Sequence, residues 1–227
     1  MQRSTKETVT KWLQSFSPKT VLDCPSGKGW LIEALPDSIC DGVDLYDDRA
    51  SSYRKLYKAN LDNGIPSELP KYDAITCFEG IEHLGNPELF FRSCHSHLKH
   101  QGAILITTPN TWQPSSRLQF NLKGFFPGFP CLIGKMIKGN HMHIIPWSFP
   151  QLYLFLTLSG FNEIKVIYQP LSNPKHFYER ILAIPQRIYC RNKARKAIDK
   201  VEKDFWLQAG SSASTLGRHL IVIARKK

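Results

Sequence analysis

The 227 residues contain no C-x-x-C pair and no apolar run approaching the roughly 18 to 20 residues that cross a bilayer. The six cysteines (Cys24, Cys40, Cys77, Cys94, Cys131 and Cys190) stand singly, several of them in stretches that read as strands, where a thiol serves as a small apolar side chain. That pattern speaks for a reducing, cytoplasmic compartment. The opening stretch MQRSTKETVTKWLQSF also lacks a continuous apolar segment of the signal type, so the chain is expected to be neither secreted nor integral to a membrane.

Acidic residues are missing from positions 111–150, which carry Arg117, Lys123, Lys135 and Lys138. Residues 151–227 hold 14 Lys and Arg against 5 Asp and Glu, so the formal net charge of +11 sits in the second half and residues 1–110 are close to neutral. An uneven positive field favours an anionic partner: a phosphate, an anionic membrane surface touched peripherally, or RNA. Charge for solubility alone is the alternative. With 42% hydrophobic residues, the chain reads as one domain over residues 1–227 with a substantial core and two insertions.

The remaining residues are organised around VLDCPSGKGW, positions 21–30. A short apolar run ends in Asp23, enters a turn containing Gly27 and Gly29, and continues into the helix-compatible run Trp30, Leu31, Ile32, Glu33, Ala34 and Leu35. A strand, a tight loop and a helix N-terminus bring backbone amides and partial positive charge to one spot, which suits a nucleotide-like cofactor. The loop lacks the G-x-G-x-x-G of a dehydrogenase fingerprint.

Asp23-x-x-x-Gly27-x-Gly29 instead resembles the first motif of the class I S-adenosylmethionine (SAM) methyltransferases. Further segments resemble that family in the same order: GVDLYD at 42–47, ANLDNGIP at 59–66, YDAITCFEGIEHLGNPELF at 72–90, GAILITTPN at 102–110 and HLIVIARK at 219–226. The likeness is to the ubiquinone-biosynthesis type and, more weakly, to small-RNA 3′-terminal 2′-O-methyltransferases. It implies an α/β fold, a Rossmann-like doubly wound seven-stranded sheet whose last strand is antiparallel, with SAM as cofactor. By that resemblance Asp23, Pro25, Ser26, Gly27 and Gly29 form the cofactor loop. Pro25 stands where many members have Gly and removes one amide donor.

Taken in order, residues 4–16 read as an amphipathic helix with Val9, Trp12, Leu13 and Phe16 at helical spacing. A second strand at 38–45 reaches Asp44, about 20 residues beyond Asp23, where doubly wound folds place the carboxylate that accepts ribose hydroxyls; Leu45 follows it. Alternatively Asp44 belongs to a turn or cap, since Asp47 and Asp48 precede an expected helix at 49–55. A third strand at 55–61 leads to Asn60, Leu61 and Asp62. The resemblance has the strand end read the adenine edge, with Asn60 and the Leu61 backbone or the Asp62 carboxylate as alternatives. The fourth strand, 73–78, is apolar throughout, as for burial on both faces, and points Phe78 and Glu79 at the cofactor crevice. A helix at 87–98 and a strand at 102–108 follow.

Residues 111–147, broken by proline and glycine, read as a substrate lid. Its mix of Leu118, Phe120, Leu122, Phe125 and Phe126 with basic residues suits an anionic membrane surface, or else an aromatic cap over the site. A helix opens at Ser148 and ends at Gly160, before a strand at 162–168. Residues 174–208 read as an inserted basic helical pair, a solvated amphipathic element in whose second member Cys190, Ala194, Ile198, Val201 and Phe205 form an apolar stripe. The chain closes with the strand at 219–225.

Methyl transfer needs alignment of nucleophile and methyl group, and a general base only where the nucleophile carries a proton. The candidate bases are His83, His141 and His143. Glu79-x-x-Glu82-His83 with a distant His143 also resembles the metal site of the two methyltransferase groups named above, in which Glu79, Glu82, His83 and His143 would hold a divalent ion that acidifies a hydroxyl. In the broader family the histidine of this stretch packs near the methionine moiety. The leading reading is a SAM-dependent methyltransferase acting at oxygen on a small-molecule or lipid-linked anionic acceptor. RNA 2′-O-methylation is the alternative, weakened by the lack of an RNA-binding motif. A SAM-binding scaffold without turnover is the third.

Overall fold

The computed structural model describes residues 3–46, 53–129, 142–169 and 177–227. Strands β1 (Thr20–Asp23), β2 (Ile39–Asp44), β3 (Lys55–Lys58), β4 (Tyr72–Phe78), β5 (Leu98–Pro109), β6 (Asn162–Val166) and β7 (His219–Arg225) form one sheet in the order β3-β2-β1-β4-β5-β7-β6. β1 to β5 run parallel, and β7 is antiparallel to both β5 and β6. This is the doubly wound, seven-stranded arrangement. The strand order reverses at β1, between β2 and β4, so a crevice opens outside the carboxyl ends of those strands.

Alternate side chains of the central strands enter two apolar layers, one on each face. On β4, Tyr72, Ile75 and Cys77 join the first layer and Ala74 and Phe78 the second; on β7, Leu220, Val222 and Ala224 divide from Ile221 and Ile223 in the same way. Burial on both faces is why these strands read as unbroken apolar runs, and each fully buried Leu, Ile or Phe contributes about 1.5–3 kcal/mol. Helices α1 (Arg3–Phe16) and α2 (Trp30–Ala34) cover the second layer through Val9, Leu13 and Leu31. Helices α3 (Pro87–His97) and α5 (Phe149–Leu158) cover the first through Phe90, Phe91, Leu152 and Leu156. Ser148 caps α5 with a reciprocal capping box to Gln151, which explains why that helix starts where it does.

Several local expectations need correction. Lys55 opens β3, pairing with Asp41 of β2, so the helix expected at 49–55 does not reach its last residue; its residues 49–52 lie outside the described ones. β3 ends at Lys58, and Leu61–Asn63 form a 3-10 turn capped by Asn60. The lid stretch, read as irregular, contains α4 (Pro114–Lys123): Pro114 sits in the first turn, the Gln113 side chain accepts from the Ser115 amide, and Gly124 ends the helix at φ 75°. Residues 130–141 of the lid, with Lys135, Lys138 and His141, lie outside the described residues.

The apolar stripe expected from Cys190 to Phe205 does not lie on one helix. α6 (Phe177–Lys196) carries Cys190 and Ala194 into the core, the helix stops, and Asp199 caps α7 (Lys200–Ala209) by accepting from Glu202 N. The restart resets the helical phase and leaves Ile198 92% exposed. The short helix α8 (Ser212–Leu216) leads into β7. Arg218, just before β7, donates to Glu179 of α6 at 2.7 Å and to the Gln113 and Ser115 side chains at 3.0 and 2.7 Å, tying the lid and the inserted helices to the sheet. Among the described residues no helix is long and apolar enough to cross a membrane.

Candidate active site

A cavity of about 360 Å³ opens at the reversal of strand order, within the size range of small-molecule and cofactor sites. Pro25 and Gly27 come from the β1–α2 loop, Asp44 and Leu45 from the end of β2, Asn60, Leu61 and Asp62 from the turn after β3, and Phe78 and Glu79 from the end of β4. His83 also lines it. Tyr46, Ala59, Gly80 and Leu84 complete the wall without having been singled out in the sequence.

The three other residues expected at the cofactor lie behind the wall. Asp23 is buried, accepting from Tyr53 Oη and Thr76 Oγ1, each at 2.6 Å. Tyr53 Oη also reaches the Ser26 carbonyl at 3.1 Å, and the Ser26 amide donates to Val43 O at 2.9 Å. Gly29 bonds back to Ser26 O and, at φ 73°, sets the start of α2. These residues hold the loop rather than face the cavity. Burial pushes Asp23 from 3.8 up to about 7, outweighing the Thr76 and Tyr53 hydroxyl bonds that favour its charged form. Because the folded value lies above the unfolded one, its contribution to stability is complete below 3.8 and is lost as pH rises through about 7. Urea unfolding between about pH 5 and 8 should show stability falling toward neutrality, and Asp23→Asn should flatten part of that fall. A slope unchanged by Asp23→Asn would locate the buried charge elsewhere.

Asp44 faces the cavity and organises the loop. Its Oδ2 accepts from Gly27 N at 2.9 Å and its Oδ1 from Tyr46 N at 3.2 Å. Asp62 accepts from the Gly85 and Asn86 amides at 2.8 and 3.3 Å through one oxygen, which ties it to the opening turn of α3; Asn60 Oδ1 accepts from Asp62 N at 3.0 Å. Gly80 is required by close approach, since a Cβ there would fall on the Pro25 ring.

Glu79 adopts φ 49°, a left-handed conformation that a non-glycine residue holds at a cost. Its carboxylate accepts from Thr107 Oγ1 at 3.0 Å and lies 3.3 Å from His219 Nε2. Burial alone would raise its pKa, but the His219 and Thr107 contacts outweigh it and hold the group below the usual value. Glu82 is buried and bonded to Thr108 Oγ1 at 2.9 Å. Burial pushes it up to about 8, with Glu79 adding to the rise.

His83 Nδ1 lies 2.9 Å from the Met142 carbonyl. A carbonyl only accepts, so Nδ1 carries the proton and the lone pair of the neutral ring is on Nε2. The His143 ring packs edge-on to His83, 4.9 Å between centroids. Burial, and then His83, lower the His143 pKa below its usual 6.5. Gly128, at φ 85°, lets the lid backbone press against the His143 ring, and Phe129 meets that ring at 5.2 Å.

Ligand atoms of Glu82, His83 and His143 lie within 4.8 Å of one another. His143 Nδ1 is buried with no hydrogen-bond partner among the described residues, so the three fit a divalent ion. Glu79, the fourth residue of the expected metal set, is turned to Thr107 and His219 instead. His141 lies outside the described residues. His219, Thr107 and Thr108 escaped the sequence reading because isolated Thr and His in apolar strands carry no local signal of the carboxylates they face.

Residues 1–152 match the family model described as a methyltransferase domain. Among curated proteins, the ubiquinone biosynthesis O-methyltransferase of Glaesserella parasuis is 31% identical over 108 residues, 40% of this chain and 46% of that protein. The protein of the same name from Chromobacterium violaceum is 32% identical over 111 residues, 42% of this chain and 47% of the relative. The chain thus spans about half the length of the curated relatives it matches. A solved SAM-dependent methyltransferase from Archaeoglobus fulgidus shares the fold, with a TM-score of 0.57 at 18% identity over 97% of this chain and 94% of that one. The family match covers the strands, loop and turns that enclose the crevice, and on that ground the chain belongs to the methyltransferase-domain family.

Proposed function

We propose that the chain methylates a hydroxyl oxygen of a small-molecule or lipid-linked acceptor, with His83 as general base. The observation that carries this reading is the imidazole pair at the cavity: His83 lines it, oriented by the Met142 carbonyl, and His143, near the end of the lid, packs against it. SAM, when bound, supplies an electrophilic methyl group on a sulfonium. His83 Nε2 takes the proton of the acceptor hydroxyl, the His143 ring holds the His83 plane, and Phe129, backed by Phe126, covers the His143 ring. The likeness to O-methyltransferases of ubiquinone biosynthesis supports oxygen as the receiving atom. An apolar groove of about 490 Å³, lined in part by Trp112, Phe126, Tyr189 and Trp206 between the lid and the inserted helices, supports an acceptor with an apolar portion.

The cluster of Glu82, His83 and His143 favours a second reading, in which these residues hold a divalent ion that acidifies the acceptor hydroxyl, as RNA 2′-O-methylation would use. Incubation with methyl-labelled SAM and a panel of hydroxylated small molecules, lipid-linked hydroxyl compounds and RNA tests both. Labelled ether product from the first two classes is expected. Product from RNA alone, or methylation only at nitrogen or carbon, would reject the leading reading.

A further inference from the structure

Helix α6 turns an apolar stripe outward. Phe177, Ile181, Ile184 and Ile188 recur at i, i+4, i+7 and i+11, one face of a helix, and are 80, 56, 48 and 54% exposed. The opposite face carries Ala183, Cys190 and Ala194 into the protein. By helical phase Arg180, Arg187 and Arg191 run along one border of the outward stripe. The single acidic residue of α6, Glu179, is buried and bonded to Arg218, so the exposed surface of the helix carries no negative charge. α4 lies beside it, Arg117 donating to the Leu182 carbonyl at 3.2 Å, and adds the exposed Leu118 and Leu122.

We propose that α6 lies in the surface of an anionic lipid bilayer, its Phe and Ile stripe entering the acyl boundary and its arginine row meeting headgroup phosphates. The charge decides the occupant. Apolar side chains alone would serve any greasy partner, but an arginine border without exposed acid is complementary to anionic headgroups, whereas a second copy of this chain would bring the same positive row alongside. The inference is independent of the acceptor; it would place the cavity near material dissolved in, or presented by, a membrane.

Co-sedimentation of the full chain with vesicles of phosphatidylcholine alone, and of an equimolar mixture of phosphatidylcholine and phosphatidylglycerol, tests this. Binding to the mixed vesicles only, weakened by salt, is expected. Each surface basic residue contributes about 1 kcal/mol, or about fivefold, so Arg180→Gln with Arg191→Gln should weaken binding about 25-fold. Ile181→Glu with Ile188→Glu should abolish it, and Lys11→Gln, on α1 of the opposite layer, should leave it unchanged. Thermal melting checks that these exposed substitutions leave the fold intact. Equal binding to neutral vesicles, no vesicle binding, or binding untouched by either pair of substitutions would overturn the proposal. So would a concentration-dependent dimer, abolished by the isoleucine pair, in a chain that ignores vesicles.

Discussion

His83→Ala is expected to lower kcat by roughly 10²- to 10⁴-fold while SAM affinity changes by no more than a few fold, the range lost when a positioned general base is removed. The expectation rests on geometry: the Met142 carbonyl fixes the proton on Nδ1 and thereby directs Nε2 as acceptor. His143→Ala should also reduce kcat, by less, because it takes away the ring that braces His83 rather than the base itself. Chelation separates the base from the metal. With His83 acting alone, activity persists in chelator and Glu82→Gln costs little, since a carboxyl raised to about 8 by burial is already protonated near neutrality. With an ion held by Glu82, His83 and His143, chelator abolishes activity, added divalent ion restores it, and Glu82→Gln costs as much as His83→Ala. Full activity of His83→Ala, with or without chelator, would remove both readings. Steady-state rates combined with calorimetric titration of SAM measure all of these outcomes.

Asp44→Ala is expected to weaken SAM binding by about 1.5–3 kcal/mol, or about 10- to 150-fold, the worth of hydrogen bonds to a charged group. Two causes combine in that loss. The carboxylate stands at the cavity at the end of β2, where it can accept from ribose hydroxyls, and it also accepts from Gly27 N and Tyr46 N, so its removal frees the loop as well. Asp44→Asn distinguishes them, because its amide oxygen can still accept from Gly27 while only one of the two acceptors remains. Affinity close to wild type in Asp44→Asn would assign the residue to the loop. A loss close to that of Asp44→Ala would assign it to the ligand.

Most of the sheet and the location of the crevice were legible in the amino-acid order. Strands buried on both faces must be apolar throughout, so β4 announced itself as YDAITCF, and the turn after β1 needs residues able to take positive φ, so Gly27 and Gly29 marked it. Sequence also named His83 and Glu82 together, because they are neighbours in the chain. What each side chain does was decided only in three dimensions, where pairings join distant positions and leave no periodic trace: Asp23 is enclosed by Tyr53 and Thr76, and Glu79 is drawn to His219 across the end of the sheet. The inserted helices show the same limit. The 190–205 stretch is apolar at helical spacing, yet a cap at Asp199 breaks the phase, and whether the other face of α6 meets protein or the outside depends on what packs behind it. Local pattern determines which residues can share a face, while the packing of the whole chain decides which face is covered.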